Sequence, residues 1–253
     1  MDVGILSETV AVRYAQKIPR DISFHQKLMA GTGQRQVIWY TELLPRATKK
    51  ALDFLSGQNW LRKSAWYLAG GTALSLQVGH RQSVDLDFFN PAGDFSASNL
   101  IQRFPKDQWE NGFIKEAAVY GKLLGAKTSF IGYSFFAAKQ KPLWYGAIRV
   151  LQPRDIAVMK IIAISQRGKK RDFVDLYWYC NNRESLEEIV PLVPDQYPYI
   201  NHNFHHIVRS LTYFADAEED PMPRLNFSVD WGGIKSYFRR EAPRLARKLL
   251  GLK

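Results

Sequence analysis

Cysteine is nearly absent: Cys180 stands alone among 253 residues. A lone thiol excludes an intramolecular disulfide framework and suits a reducing compartment. Long apolar runs are missing too. None approaches the roughly 18 residues that a bilayer crossing needs, and no basic segment leading into an apolar core opens the chain. Neither an anchor nor a signal peptide is expected, and the expected location is cytoplasmic. Acidic residues are in deficit, 24 Asp plus Glu against 35 Lys plus Arg, a formal balance of +11. Such a surplus favours polyanionic partners, nucleic acid or nucleotides, with a merely basic soluble protein as the alternative. Internal repeats and low-complexity tracts are also lacking. What is present is ordinary globular usage, 46% hydrophobic and 23% charged, in a chain long enough to bury a core as one large domain or two small ones.

Residues 1–36 show no sustained periodicity, and Ala30 to Gln36 read as a polar connector. Leu43, Leu44, Ala47, Ala51, Phe54 and Leu55 then recur at helical spacing, with Pro45 near the start and Gly57 as the stop. The stretch Tyr67 to Phe89 organises the rest. An apolar run meets Gly70-Gly71-Thr72, a helix-compatible segment ends at Gly79, and a second apolar run carries Asp85 and Asp87. If Val84 to Phe89 is a strand, the two acids share one face while Val84, Leu86 and Phe88 take the other. A glycine doublet alone reads equally as an ordinary strand-to-helix turn. Acids set between apolar residues need solvent or a cation, however, and a helix N-terminus can hold a phosphate. Together they describe a nucleotide site, because Mg²⁺ prefers carboxylate and phosphate oxygens in combination.

A helix is expected within 95–107, and strands over Phe113 to Val119, Leu123 to Tyr133 and Ala147 to Val150. A three-carboxylate site would want another acid on a neighbouring strand, where Thr128 and Ser129 stand instead. Pro153 to Gln166 reads as a helix that Gly168 breaks, with Asp155 complementing its dipole. Lys160 and Arg167 share one face of it, either gripping phosphate or extending from a core helix. Asp172 then opens the next helix as a first-turn acid or as a site acid, with Asp175 one turn later. Helices are further expected at 185–190, 203–217 and 234–250. His202, His205 and His206 have metal-compatible spacing, but they lack an accompanying cysteine and read as a surface start.

With Gly70-Gly-Thr-Ala-Leu74, Gly79-His-Arg81, Ser83-Val-Asp-Leu-Asp-Phe88, Lys160 and Arg171-Asp-Phe-Val-Asp-Leu-Tyr177 in this order, the chain resembles the AbiEii/AbiGii family of nucleotidyltransferase toxins over roughly residues 39–240. The resemblance implies an α+β fold. Its core would be DNA polymerase β-like, a mixed sheet flanked by helices, followed by a mainly helical C-terminal part. The divisions expected are an N-terminal extension at 1–38, the core at 39–150 and the helical part at 151–253. It also implies a bacterial or archaeal toxin with a cognate antitoxin, acting in abortive infection or a related response.

Carried over residue by residue, the family pattern places Gly70, Gly71 and Thr72 at the phosphate-binding turn and Asp85 and Asp87 on Mg²⁺. Lys160 would contact the phosphates of an NTP, and Asp172 would be the later catalytic acid that orients or deprotonates the acceptor hydroxyl. Arg81, Arg167 and Arg171 would support phosphates or hold the acids. The expected reaction moves an NMP from an NTP to a hydroxyl, RNA such as a tRNA 3′ end being the preferred acceptor. The alternative is a catalytically inactive protein of the same fold that binds RNA or a protein partner, because Ser129 replaces an acid that many nucleotidyltransferases carry.

Overall fold

The computed structural model describes residues 37–250, the side chain of Leu250 excepted. Most of the N-terminal extension expected at 1–38 lies outside the described residues. From Ile38 onward the chain is one compact unit. Among the described residues it holds a seven-stranded mixed sheet of order β3-β4-β5-β2-β1-β7-β6.

Helix α1 (Arg46–Ser56) starts directly after Pro45 and buries Thr48, Ala51, Leu52 and Leu55, the stripe that helical spacing predicts. Strand β1 (Tyr67–Ala69) is buried along its whole length, as a central strand must be. Helix α2 (Gly70–Val78) follows without a linker, and Gly79 ends it at φ 64°, a left-handed turn that costs glycine little. Strand β2 (Leu86–Asn90) alternates buried and half-buried residues. It begins later than the sequence predicts, and Val84 is 48% exposed rather than in the core. Asp85 therefore sits at the mouth of the strand, and Asp87 lies within it.

Helix α3 (Ala97–Ile101) is shorter than expected. Strands β3 (Trp109–Lys115), β4 (Ala118–Leu123) and β5 (Ala126–Gly132) form a meander, so the run expected at 113–119 crosses a turn at Glu116, whose φ is 47°. β6 (Leu143–Tyr145), which the sequence pattern does not mark, pairs with β7 (Ile148–Val150) at the far edge. β2 runs parallel to β5 and antiparallel to β1, and β1 runs parallel to β7.

Helix α4 (Pro153–Arg167) takes Pro153 in its first turn and ends on Gly168 at φ 53°. Helix α5 (Lys170–Asn182) packs beside it, and shorter helices lead through α6 (Phe204–Ser210) to α7 (Trp231–Leu250). One buried cluster runs from Leu44 through Leu68, Phe88 and Phe130 to Ile161, Phe173 and Leu245, across the boundary expected at 150/151. Asp155 does more than complement a dipole. It is buried, and it ties the loop before the helix by accepting from the Lys139 and Gln140 amides and from the Gln196 side chain. The segment 224–226 clamps His80–Gln82: the amide of Gln82 donates to the Arg224 carbonyl at 2.9 Å and that of Asn226 to the His80 carbonyl at 2.8 Å.

Candidate active site

Both glycines at the start of α2 are demanded by close approaches. Gly70 has φ 70°, and a methyl group there would lie 3.2 Å from Asp87 Oδ2. A methyl group on Gly71 would lie 2.1 Å from Arg81 Nη2. The Thr72 side chain points inward: its hydroxyl donates to the Asp85 carbonyl, and Ser83 Oγ lies 2.8 Å from it. Thr48 holds the preceding carbonyl, that of Val84, at 2.8 Å. The approach to β2 is thus fastened on both sides, which fixes where the two acids stand.

Asp87 pairs in register with Ser129 on β5, and the Ser129 hydroxyl donates to Asp87 Oδ1 at 2.6 Å. Ser129 consequently stands beside Asp87 on the neighbouring strand. Burial pushes the Asp87 carboxyl above the ordinary carboxylate range, and the negative Asp85 adds to the shift, while the Ser129 hydrogen bond opposes it. Asp85 Oδ2 takes a 3.0 Å hydrogen bond from Arg171. Its other oxygen, Oδ1, is buried without a hydrogen-bond partner among the described residues.

Behind this pair lies a network of buried charge. Lys160 Nζ reaches Asp172 Oδ1 at 2.6 Å and Asp175 Oδ2 at 2.7 Å. Arg81 grips Asp175 with Nε at 2.6 Å and Nη2 at 2.9 Å, and Arg167 Nε reaches Asp172 at 3.2 Å. Burial alone would raise the pKa of Asp175, but Arg81 and Lys160 outweigh it and hold the carboxyl well below its usual range. Lys160 and Arg167 do the same, less strongly, for Asp172 against its burial. His80 Nε2 is 2.7 Å from Asp175 Oδ1. Burial lowers the imidazole pKa and so favours the neutral ring, with Nε2–H as donor.

These elements enclose a cavity of about 650 Å³. Gly70, Gly71, Arg81, Asp85, Asp87, Lys160, Arg167 and Arg171 line it, together with Ser129 and a wall from β3 and β4. Thr72 and Asp172 do not: Asp172 is fully buried, its oxygens committed to Lys160 and Arg167. The carboxylate pair fits a divalent cation. The unpartnered Asp85 Oδ1 and the desolvated Asp87 offer hard oxygen donors at one end of the cavity. Elsewhere, His202 and His206 each set Nε2 against a backbone carbonyl, of Tyr197 and Ser165 respectively. Burial pushes the Cys180 thiol up to about 12.

Two members of the network have no part in the sequence expectations. His80 is only a letter of Gly79-His-Arg81 there, and Asp175 is noted only as a neighbour of Asp172. The available signal is the i,i+3 pair Asp172/Asp175 on a helix that follows a lysine-bearing helix across one glycine, a layout that lets one amine bridge two carboxylates.

The model of the AbiEii family, described as a nucleotidyl transferase toxin of a type IV toxin–antitoxin system, matches residues 54–144 and 130–249. An uncharacterized protein of Aquifex aeolicus (strain VF5) is 36% identical over 184 residues, covering 70% of this chain and 85% of that one. Among solved structures, MenT4, a nucleotidyltransferase toxin from Mycobacterium tuberculosis H37Rv, is 16% identical with a TM-score of 0.50. That match covers 80% of this chain and 86% of MenT4, and it is a likeness of fold.

Proposed function

Because the chain belongs to the AbiEii family of nucleotidyl transferase toxins, we propose that it moves a nucleoside monophosphate from an NTP to an RNA hydroxyl, with a tRNA 3′ end as the preferred acceptor. The observation that carries this reading is the Asp85/Asp87 pair, with Asp85 Oδ1 unpartnered among the described residues, sharing one cavity with Gly70, Gly71, Lys160 and Arg171.

Asp85 and Asp87 would hold Mg²⁺, which supplies charge neutralisation to the triphosphate and to the transition state when bound. Lys160 spends two donors on Asp172 and Asp175, leaving one of the three N–H groups of an ammonium for a phosphate oxygen. Arg167 and Arg171, both half-exposed on the cavity wall, close on the departing pyrophosphate. The acceptor hydroxyl attacks the α-phosphorus and gives up its proton to solvent in the cavity, while the bond to the bridging oxygen breaks and pyrophosphate leaves with that electron pair. Positioning and electrostatics supply most of the acceleration. Arg81 is assigned to holding the glycine turn through Asp175. Asp172, whose expected part was at the acceptor hydroxyl, is assigned instead to positioning Lys160 and Arg167. Its buried, doubly paired carboxyl, held below its usual range by Lys160 and Arg167, suits that task better than taking a proton.

The net charge of +11 supports a polyanionic acceptor. A cognate antitoxin and a cytoplasmic site of action belong to the same reading; no helix among the described residues is long and apolar enough to cross a membrane. The test is incubation with each labelled NTP, Mg²⁺ and total tRNA, beside Asp85→Asn and Asp87→Asn. Label on RNA that both variants abolish supports the transferase. Tight tRNA binding without transfer of any nucleotide refutes it and favours the silent alternative that Ser129 suggests. Label on a protein would replace the acceptor and keep the reaction.

A further inference from the structure

The cavity extends well beyond the acids, and strand pairing dictates what lines its far end. Asp87 pairs with Ser129, Ser129 with Tyr120, and Tyr120 with Phe113. Directly paired residues point to one face of a sheet, so these four side chains form one row from β2 to β3, and all four line the cavity. The row spans about 14 Å, three strand spacings. At its outer end Phe113 and Tyr120 are stacked, centroids 4.5 Å apart and planes 22° from parallel. Phe113 nevertheless stays 59% exposed.

The stack depends on a bulge. Pairing shifts between Asn111 and Phe113, so Gly112 is the extra residue. A methyl group on Gly112 would lie 2.7 Å from the Tyr120 carbonyl, and one on Gly121 would lie 2.4 Å from the Trp109 ring. Glycine at both positions lets the strands close, and the bulge brings Phe113 rather than residue 112 opposite Tyr120. Two residues along the same face, Lys127, Lys122 and Glu110 pair in a parallel row. Lys122 is held by Glu110 at 3.0 Å, whereas Lys127 has no acidic partner among the described residues. Arg167 and Arg171 continue the positive charge to the acids.

Resting on the reading of RNA as acceptor, we propose that the Phe113–Tyr120 stack and Lys127 form a docking track for the single-stranded end of that RNA. A base would stack on Phe113 and a backbone phosphate would meet Lys127 while the terminal hydroxyl reaches Asp87. Within a nucleotide, the α-phosphate and base are joined only through C5′ and the sugar, a reach well short of three strand spacings. The base of an NTP whose α-phosphate sits at the acids therefore falls short of Phe113, but a base several stacked steps of about 3.4 Å back along the acceptor strand arrives there. Stacking tolerates any base and needs it unpaired, which selects single strands over duplex.

The experiment is fluorescence anisotropy with a short single-stranded oligoribonucleotide carrying a tRNA acceptor end, without NTP, for the wild type, Phe113→Ala, Phe113→Trp and Lys127→Ala. Loss of one stacked base is worth roughly a 5- to 150-fold rise in Kd, so Phe113→Ala should weaken binding by that factor. Phe113→Trp should restore it, at equal melting temperatures for all variants. Lys127→Ala should lower the slope of log K against log salt by about 0.7, one phosphate contact. The same sequence as duplex should bind with no dependence on Phe113. Equal Kd for wild type and Phe113→Ala, no rescue by tryptophan, or no binding by the wild type overturns the track. The parent reading fails separately. Phe113-dependent binding with no transfer of label sinks the transferase and leaves the track, whereas transfer to RNA with an unchanged acceptor KM in Phe113→Ala does the reverse.

Discussion

Replacing Lys160 by methionine tests the buried network, because among the described residues the amine is the one group that ion-pairs with both Asp172 and Asp175. Its side chain is 6% exposed and the two carboxylates are fully buried, at 2.6 and 2.7 Å, so solvent does not soften the loss. Breaking a buried pair costs about 3–5 kcal/mol. Each carboxylate keeps an arginine, Arg81 on Asp175 and Arg167 on Asp172, which places the expected loss near the lower end, about 3 kcal/mol. For a chain of this size that is a fall in Tm of roughly 6–12 °C. Calorimetry at neutral pH reads it directly. The pH dependence has a fixed sign. Both carboxyls are depressed in the fold, so their stabilisation is complete above the ordinary carboxylate range and disappears as pH falls through the depressed values. The difference between Lys160→Met and the wild type should therefore shrink in acid. A double variant, Lys160→Met with Asp172→Asn, removes one stranded carboxylate and should be more stable than the sum of the single losses by about 0.5–3 kcal/mol. A Tm within about 2 °C of the wild type, or strict additivity, refutes the network as a source of stability.

Gly71→Ala drives a methyl into Arg81 and should cost about 1–3 kcal/mol by overpacking, read as a lower urea midpoint, together with reduced labelling of RNA; an unchanged midpoint would mean that Arg81 does not hold the turn. Thr72→Val leaves the Asp85 carbonyl and the Ser83 hydroxyl without their partner, a loss of about 1–3 kcal/mol that the same urea titration would detect, and it should impair transfer because Asp85 is no longer fastened. Asp87→Asn keeps the Ser129 hydrogen bond but removes a carboxylate whose raised pKa marks a folded state that disfavours its charge. It should abolish transfer and raise Tm at neutral pH, the gain vanishing in acid where Asp87 itself is protonated; a lower Tm at neutral pH contradicts this.

How far the sequence discloses the molecule depends on whether a feature is local. The turn, helix and acid pair of Tyr67 to Phe89 are legible because two glycines, a helix stop and apolar spacing act within one stretch, and the ends of α4 follow from Pro153 and Gly168 for the same reason. The first hairpin is blurred because Glu116 turns at positive φ without being glycine, and in the second Leu124 does so beside Gly125 within an otherwise strand-like run. β6 is three residues on an edge and leaves almost no period to read. At the site, Ser129 on the strand neighbouring the acids is expected from the missing third carboxylate, but its register opposite Asp87 rather than Asp85 depends on pairing between strands 42 residues apart. The orientation of Asp172 has no signature at all, since a first-turn acid facing solvent and one facing Lys160 are spelled alike.

The distribution of charge links these parts. Asp175 has more partners than one carboxylate needs, namely Arg81 twice, Lys160 and His80, and Asp172 has Lys160 and Arg167. Asp87 has a single serine hydroxyl, and one oxygen of Asp85 has nothing. The pKa values of Asp172 and Asp175 accordingly fall while that of Asp87 rises. A chain with eleven surplus positive charges could have neutralised the cavity acids as thoroughly as it did those behind them. Instead Lys160, Arg81 and Arg167, though they line the cavity, are held by Asp172 and Asp175, and Asp87 keeps an electrostatic cost that a bound cation would relieve. A site poised in this way favours ligands that bring positive charge to the acids and negative charge to the arginines and Lys160, which is the charge pattern of a metal-complexed triphosphate.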